Sequence, residues 1–299
     1  MAKKIARYYE KSIKYILGIV AGTSILILFL IFFFLLREGS GVFTEVGLFD
    51  FVFGTKWLPV SEPPQFGALA LIAGSLTVTV GAGMIAIPLG IGIAMFLAEV
   101  APRSVREIFK AVIELLAGIP SVVYGFLGLT ILAPLVKEIF DLPSALCAFT
   151  ASLVLGIMAL PTVVSISEDA LDAVPREYRE ASLALGATKW ETTLRIVLPT
   201  ARSGLIAASM LGLGRAIGET MAVLMVAGNA TLIPHSIFDP VRTITADIAA
   251  EMGEVVRGGL HYQALFGLGM VLFAITFVIN LITDVVFAKT SSIKRGASL

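Results

Sequence analysis

An apolar stretch near the start of the chain decides which class of fold the sequence can adopt. Residues 15–36 have the sequence YILGIVAGTSILILFLIFFFLL, which is 22 residues without a charged side chain. About 20 apolar residues in a helix cross the hydrocarbon core of a bilayer. A secretory signal is the alternative, but its apolar region is about 7–15 residues long and ends at an A-x-A-like cleavage site, which is missing here. We therefore expect an uncleaved first membrane span.

Five further apolar segments bring the number of predicted spans to six. The sequence is 57% hydrophobic and only 15% charged, with a mean hydropathy of +0.94, so a water-soluble domain would lack polar surface. Backbone groups in lipid must bond within their own segment, and these runs lack the alternation of a β-barrel. The predicted fold is an all-α polytopic membrane protein with six transmembrane helices. The five further spans are predicted at 71–98, 111–136, 145–167, 203–228 and 264–288.

Basic residues are distributed unevenly among the loops, and this predicts the orientation. Of the 22 Lys and Arg residues, 16 lie in the two tails and in loops 103–110 and 176–202, five lie in the alternate loops, and Arg215 lies within a span. Because Lys and Arg concentrate on the cytoplasmic side, both termini are predicted to be cytoplasmic.

The chain is predicted to have three parts. Residues 1–67 form an N-terminal tail, the first helix and an outer loop. Residues 68–288 form a core of five helices that contains the cytoplasmic loop 168–199, and residues 289–299 form a cytoplasmic tail.

The sequence lacks the motifs that would give this chain catalytic chemistry of its own. No GxxxxGK[ST] phosphate loop, GxSxG nucleophile or HExxH metal motif occurs, so we expect no catalytic residue, and any ATP would be used by a partner. Cys147, His235 and His261 do not have the spacing of zinc ligands, and no metal is expected. Basic and acidic residues balance at 22 each, which argues against nucleic-acid binding through net charge.

The segment 168–199 is too long for a simple connection and predicts two short helices in the cytoplasm. Pro175 suits the first helical position, and Gly186 is placed to end the first helix in the left-handed conformation. Thr188-Lys-Trp-Glu191 is a predicted capping box that starts the second helix. A structural lid and a docking surface for another protein are both compatible with this pattern, and the small residues Ala181-Ser182 favour docking slightly.

Two opposite charges lie in the predicted fifth span. Placing Arg215 in lipid costs at least about 2.5–3.5 kcal/mol, so its guanidinium is expected to face the bundle interior and a polar partner. Glu219 follows at i+4, on the same face of a continuous helix. A mutual salt bridge that only ties helices together is one interpretation, and a site on a substrate pathway is the one that we favour. Gly212, Gly214 and Gly218 are expected to allow close helix packing.

The cytoplasmic loop resembles a known sequence pattern. It contains Glu180-Ala181-Ser182, then Gly186 after three residues, and then Ile196-x-Leu198-Pro199 after nine more. This pattern is similar to the EAA loop of binding-protein-dependent ABC importer permeases, which is E-A-A-x3-G-x9-I-x-L-P. Every spacing agrees, and Ser182 keeps the small size of the third residue. In that family the short helix fits a cleft of the ATPase subunit and transmits its closure. The resemblance therefore implies an ATPase-coupling role for Glu180, Ala181, Ser182 and Gly186.

A narrower resemblance covers nearly the whole chain. Its motifs are Trp57-Leu-Pro59 with Phe66-Gly67, Gly118-Ile-Pro-Ser-Val-Val-Tyr-Gly125, Ser167-Glu-Asp-Ala-Leu171 and Arg215-Ala-Ile-Gly-Glu-Thr-Met-Ala222. These motifs are similar to those of the phosphate-specific permeases, and to the C-type (PstC) subunit more than to the A-type. Within the last motif, we predict that Arg215, Glu219 and Thr220 lie on the substrate pathway.

This resemblance implies the permease subunit of an ATP-driven inorganic phosphate importer in the prokaryotic plasma (inner) membrane. The implied partners are a second homologous permease in a heterodimer, two ATPase subunits and an extracytoplasmic phosphate-binding protein. No cofactor is expected on this chain, and ATP with magnesium is expected on the ATPase partner. A permease for another oxyanion, molybdate or sulfate, is the first alternative. A passive channel or a membrane assembly protein is the second, and neither of these needs a docking loop for an ATPase.

The outer segments are expected to cover the bundle. Residues 243–256 have apolar residues at helical spacing, within a segment 229–262 that is expected to form an external gate or a landing surface for the binding protein. His235 and His261 are expected to be solvated polar residues rather than ligands. Trp57 is expected to anchor its loop at the membrane interface.

Overall fold

The computed structural model describes the backbone of residues 2–296 and the side chains of residues 13–282. Of the predicted tails, the side chains of 1–12 and 289–299 lie outside the described residues. The all-α class is confirmed, with a single two-stranded hairpin in the described chain. The elements are α1 Ala2–Glu45, α2 Leu48–Phe53, β1 Trp57–Leu58, β2 Gln65–Phe66, α3 Leu69–Met95, α4 Arg103–Gly118, α5 Ser121–Leu127, α6 Ala133–Phe140, α7 Ala148–Asp172, α8 Arg176–Ala184, α9 Lys189–Thr192, α10 Leu198–Ile217, α11 Met221–Val226, α12 Ile244–Glu251 and α13 Leu260–Gly296.

The described chain contains three turns of π-helix. They lie at Phe96–Val100 after α3, at Gly128–Leu132 between α5 and α6, and at Thr193–Val197 between α9 and α10. A π turn adds one residue to a helix. The first π turn extends α3 to Val100, and the other two join successive α-helices without a loop.

Six helical segments of the described chain are long and apolar enough to cross a membrane, as predicted. Helices α3, α7 and α10 pack together at the centre, and α1 lies against α13. We name the end of the bundle that carries α8 and α9 the loop end, and the opposite end, with β1, β2 and α12, the hairpin end. The six segments are Ile13–Glu45, Leu69–Val100, Ser121–Phe140, Ala148–Asp172, Lys189–Ile217 and Leu260–Ile282.

The third span begins later than the sequence predicts. The expected helix over 111–136 is interrupted at Pro120, and the span is Ser121–Phe140. Proline has no N–H group and disfavours a helical conformation of the residue before it. The carbonyl of Leu116 therefore loses its helical partner at i+4, and the Tyr124 hydroxyl donates a hydrogen bond to it at 2.8 Å. Helix α4, before the break, is amphipathic and has no buried residue.

The fifth span is also interrupted. Helices α10 and α11 are separated by Gly218–Thr220, so the expectation of a continuous helix over 203–228 is wrong. The first N–H groups of a helix have no partner in the preceding turn. Here the Glu219 carboxylate accepts hydrogen bonds from the N–H groups of Thr220 and Ala222, at 3.0 and 3.3 Å. This acidic side chain stabilises the start of α11 and with it the break.

Close helix packing through glycine is confirmed at Gly212. A Cβ atom added there would lie 2.5 Å from Val163 of α7, and one added to Gly90 of α3 would lie 2.6 Å from the same valine. Val163 is thus enclosed between two glycines, and three spans approach one another at this point. Among the described residues, Gly214 and Gly218 have no such neighbour on another helix, so close packing within this chain is not found at these two positions.

The hairpin end is a compact hydrophobic cluster. Trp57 is only 2% exposed, so its expected role as a membrane-interface anchor is wrong. Its ring packs edge to face against Phe51 and Phe66, with ring centroids 6.3 and 5.8 Å away, and its indole N–H donates to Glu251 at 3.2 Å. The hairpin, α2 and α12 are thereby joined to the adjoining ends of α1 and α13.

Reporter fusions test the number of crossings and the orientation that the basic residues predict. Fusions after residues 45, 105, 140, 185, 245 and 295 should alternate out, in, out, in, out, in, because each pair of neighbouring sites is separated by one span. Paired alkaline phosphatase and fluorescent protein fusions give the readout. Two consecutive fusions on the same side would contradict the six crossings.

Candidate functional site

Arg215 lies in the last turn of α10, on the exposed side of the chain. Its Nη1 atom donates to the Thr162 hydroxyl of α7 at 3.2 Å. Among the described residues no ion pair joins Arg215 to Glu219, so the interpretation as a mutual salt bridge is wrong for this conformation. The helix ends at Ile217, so Arg215 and Glu219 do not share one face of a continuous helix.

Glu219 and Thr220 form the break itself. The Thr220 hydroxyl donates to the Gly218 carbonyl at 3.4 Å, and its N–H donates to the Glu219 carboxylate. The carbonyl of Glu219 accepts a hydrogen bond from the Thr245 hydroxyl of α12 at 2.7 Å. The structure therefore brings Glu219 and Thr220 together in an irregular segment and places Arg215 just before it. Thr162 and Thr245 are polar neighbours that sequence reasoning missed.

The loop-end helices have the local structure that the sequence predicts. Gly186 follows α8 with a φ of +88°, in the left-handed region where glycine is favoured. Thr188 and Glu191 form the capping box, in which the Thr188 hydroxyl accepts from the Glu191 N–H at 3.2 Å and Glu191 accepts from the Thr188 N–H at 2.9 Å. Pro175 precedes α8 as its N-cap and is not its first helical residue, which corrects the prediction by one position.

The four residues of the EAA-like pattern do not all have the same environment. Glu180, Ala181 and Gly186 are exposed, whereas Ser182 is partly buried and its hydroxyl lies 2.9 Å from that of Thr192. Ser182 therefore links α8 to α9. A groove of about 600 Å³ runs beside these helices, and its lining includes Tyr178, Ala181, Ser182, Leu185, Ile196 and Pro199.

Arg179 attaches this loop to the membrane spans. Its guanidinium donates to Glu99 at 2.7 Å, and also to the carbonyls of Leu171 and Val174 at 2.9 and 2.6 Å. Glu99 lies at the end of the second span, and Leu171 at the end of the fourth. One side chain of α8 is therefore hydrogen-bonded to the ends of two spans.

A second charged cluster lies at the same end of the bundle. Arg106 of α4 forms ion pairs with Glu168 and Asp172 of α7, and Lys110 pairs with Glu168 at 3.3 Å. Each helix places its two charges four residues apart, so both partners lie on one face. This cluster holds the amphipathic helix α4 against α7.

The hairpin end contains a third charged cluster, which holds α12 in place. Arg242 donates from Nη1 to Asp247 and to Glu251, at 2.9 Å each, and from Nε to the carbonyl of Asn229 at 3.1 Å. Glu251 also lies 2.8 Å from Nε2 of His261. The expectation that His261 is a solvated residue is therefore wrong, because its ring is held by an acid and by the aromatic cluster.

Asp247 is the most deeply buried charged group of this cluster. Its side chain is fully buried, and its second oxygen has no hydrogen-bond partner in the described residues. Burial, together with the neighbouring charge of Glu251, raises the pKa of Asp247 to about 7, although the hydrogen bond from Arg242 acts in the opposite direction. The cluster therefore gains or loses a proton near neutral pH.

Comparison with known proteins identifies the family. A family model that describes the inner membrane component of binding-protein-dependent transport systems matches residues 86–291. The chain belongs to this family. The permease is 41% identical to a probable ABC transporter permease protein, YqgH of Bacillus subtilis, over 78% of this chain and 75% of that protein. It is 43% identical to the phosphate transport system permease protein PstC of Mesorhizobium japonicum, over 77% of this chain and 76% of that protein.

Solved structures of transporters share the fold. The permease resembles a chain of the MetNI methionine ABC transporter in an inward-facing conformation, with a TM-score of 0.60 and 18% identity, over 77% of this chain and 99% of that chain. It also resembles a chain of a bacterial alginate ABC transporter, with a TM-score of 0.61 and 18% identity, over 86% and 89%. The predicted fold class and the resemblance to phosphate-specific permeases are thus both confirmed.

The charged clusters of the permease were only partly visible in its sequence. The pairs Arg106 with Lys110 and Glu168 with Asp172 have the same spacing and opposite charge, which was a usable signal. Arg242 has its acidic partners within nine residues on α12. Trp57 and His261, which bind Glu251, are distant from it in the sequence, and no pattern connected them to the cluster.

The raised pKa of Asp247 predicts that docking of α12 on the permease depends on pH. When α12 is detached, the carboxyl has its ordinary pKa of 3.8, so between about pH 4 and 7 the docked state holds a proton that the detached state lacks. Docking is therefore expected to weaken as the pH rises through this window and to stay constant above it. Amide hydrogen exchange of residues 244–251, corrected for the intrinsic pH effect, measures this.

Asp247→Asn should remove that pH dependence, because an amide has the shape of the protonated acid but does not titrate in this range. Glu254→Gln is the matched control, since Glu254 is an exposed acid just beyond α12, and it should keep the wild-type profile. His261→Gln separates the contribution of the histidine. An unchanged profile in Asp247→Asn would contradict the assignment.

Proposed function

We propose that this chain is the transmembrane permease subunit of an ATP-driven inorganic phosphate importer in the prokaryotic plasma (inner) membrane. The observation that carries the proposal is 43% identity over 77% of the chain to a protein named as a phosphate transport permease. Further relatives of the same name, from Haemophilus influenzae and Pasteurella multocida, are 38% and 40% identical over 82% and 77% of this chain. Both termini are proposed to lie in the cytoplasm.

The exposed position of Arg215 supports a partner permease. A guanidinium on the surface of a membrane span is costly in lipid, so it requires polar protein groups or a water-filled path beside it. Within the part of the chain whose side chains are described, one hydroxyl, that of Thr162, accepts from the guanidinium, and its other N–H groups are available to a neighbouring subunit. We propose that a second, homologous permease covers this surface in a heterodimer, and that the translocation path runs between the two chains.

The loop end suits an ATPase partner. Glu180 and Ala181 are exposed on α8, and Leu185 beside them is 90% exposed, so an apolar and acidic surface is available for contact. Two ATPase subunits are proposed, one for each permease, with ATP and magnesium bound on them and not on this chain. Closure of the ATPase pair would move α8, and Arg179 would pass this movement to the spans.

The chemistry of Arg215, Glu219 and Thr220 suits a protonated oxyanion. Arg215 offers planar N–H donors to tetrahedral oxygens. Phosphate near neutral pH carries one or two protons and can donate to the Glu219 carboxylate, whereas sulfate carries none and would place acceptor against acceptor. Such a mismatch costs on the order of 1–3 kcal/mol, which favours phosphate over sulfate.

The segment 229–262, at the opposite end from the ATPase, is proposed to receive the extracytoplasmic phosphate-binding protein.

The coupling role predicts the effect of a double substitution. Glu180→Lys with Gly186→Val should abolish uptake while insertion is retained, because the charge change disturbs the contact and a β-branched residue resists a φ of +88°. Phosphate uptake and membrane abundance are measured together. Glu177→Lys, an exposed acid on the same helix outside the pattern, is the matched control. Normal uptake in the double variant at normal abundance would refute the role, and would leave a passive channel as the better account.

The substrate-path role predicts opposite behaviour of two variants in reconstituted vesicles. Arg215→Gln should lose phosphate uptake with the complex still assembled, because the oxyanion loses its main donor. Glu219→Gln should admit sulfate, because an amide can donate to it.

Arg37→Gln is the control for loss of a basic residue, since Arg37 is 73% exposed at the hairpin end of α1. Retained phosphate uptake in Arg215→Gln would refute the path. Uptake of sulfate or molybdate in preference to phosphate by the wild type would instead identify another oxyanion importer. An inactive Glu219→Gln whose ATPase no longer responds to the binding protein would show that Glu219 acts as a gate.

A further inference from the structure

Thr245 joins α12 to the break in the fifth span. Its hydroxyl donates to the carbonyl of Glu219 at 2.7 Å. The backbone hydrogen bonds of α11 begin one residue later, where the N–H of Leu224 donates to the carbonyl of Thr220 at 3.0 Å. The Thr245 hydroxyl is therefore the side-chain donor that fixes the peptide after Glu219.

The position of that peptide sets the position of the Glu219 carboxylate. The carboxylate folds back onto the N–H groups of Thr220 and Ala222, which belong to the same short segment. It has little freedom to move independently of this backbone. If the segment shifts, the acid shifts with it.

Helix α12 is a firm support for Thr245. The neighbouring residues Ile244 and Ala246 are fully buried, and the N–H of Ile244 donates to the Ser75 hydroxyl of α3 at 2.9 Å. The span and the segment before α12 also touch directly, since a Cβ atom on Gly74 would lie 2.5 Å from the carbonyl oxygen of Arg242. Arg242 then binds both acids of α12. Thr245 is thus held from both sides.

We propose that Thr245 is a positioning residue for transport, and that its hydroxyl holds the break so that the Glu219 carboxylate meets the protonated oxyanion in the correct place. This inference rests on the proposed function, because it requires Glu219 on the substrate path. Thr245 itself does not touch the anion. It acts through the Glu219 carbonyl.

The test compares Thr245→Val, which keeps the shape and removes the donor, with Thr245→Ser, which keeps the donor. The complete complex is reconstituted in vesicles, and uptake of phosphate is measured with sulfate as competitor. Loss of one hydrogen bond should raise the KM for phosphate by about threefold to tenfold and weaken the exclusion of sulfate. Thr245→Ser should restore both. Amide hydrogen exchange of residues 218–224 should be faster in Thr245→Val and protected again in Thr245→Ser.

The outcomes separate this inference from the proposed function. A Thr245→Val protein with wild-type KM and sulfate exclusion, beside an impaired Glu219→Gln protein, would overturn the positioning role and leave the substrate path intact. A loss of maximal rate and abundance alone would also overturn it, because a purely structural bond has that effect. If Glu219→Gln transports phosphate with normal KM and selectivity, the path through Glu219 fails, and the positioning role falls with it.

Discussion

Backbone groups in lipid have no water to bond, and this constraint explains what surrounds each break in the helices of this permease. At Pro120 the Tyr124 hydroxyl binds the carbonyl of Leu116 that the proline releases. At Gly218–Thr220 a carboxylate binds the N–H groups and the Thr245 hydroxyl binds a carbonyl. Each interruption is stable because a side chain supplies the hydrogen bond that a continuous helix would have made.

The two breaks differ in the kind of group that stabilises them. Tyr124 supplies a buried, neutral hydroxyl, which has no charge with which to attract an anion. Glu219 is charged, and under the proposed function it also meets the substrate. Its hydrogen bonds to the backbone therefore compete with those to an arriving anion, so occupancy of the path and the structure of the break are linked. The break at Pro120 has no such link to an anion, whereas the break at Glu219 has one under the proposed function.

The sequence was sufficient to predict features that depend on nearby residues. Length and hydropathy predicted six spans, and the Thr188 capping box and the left-handed Gly186 followed from local steric and hydrogen-bonding rules. The breaks were not predicted, because Pro120 and Gly218 lie within apolar runs where both residue types are also tolerated in continuous helices. The burial of Trp57 was missed for another reason, since its partners are brought to it only by the tertiary fold.

The π-helical turn at Thr193–Val197 links the loop end to the fifth span without a loop. One residue of a helix corresponds to about 100° of rotation, so a helix with one extra residue presents a different side beyond it. Arg215 lies further along the same helical stretch. The direction in which it points, relative to α9, therefore depends on the one extra residue of the π turn. A lineage that lost this residue would keep nearly the same hydropathy, in a span only one residue shorter. In such a protein, however, the residue equivalent to Arg215 would point to a different side of the helix.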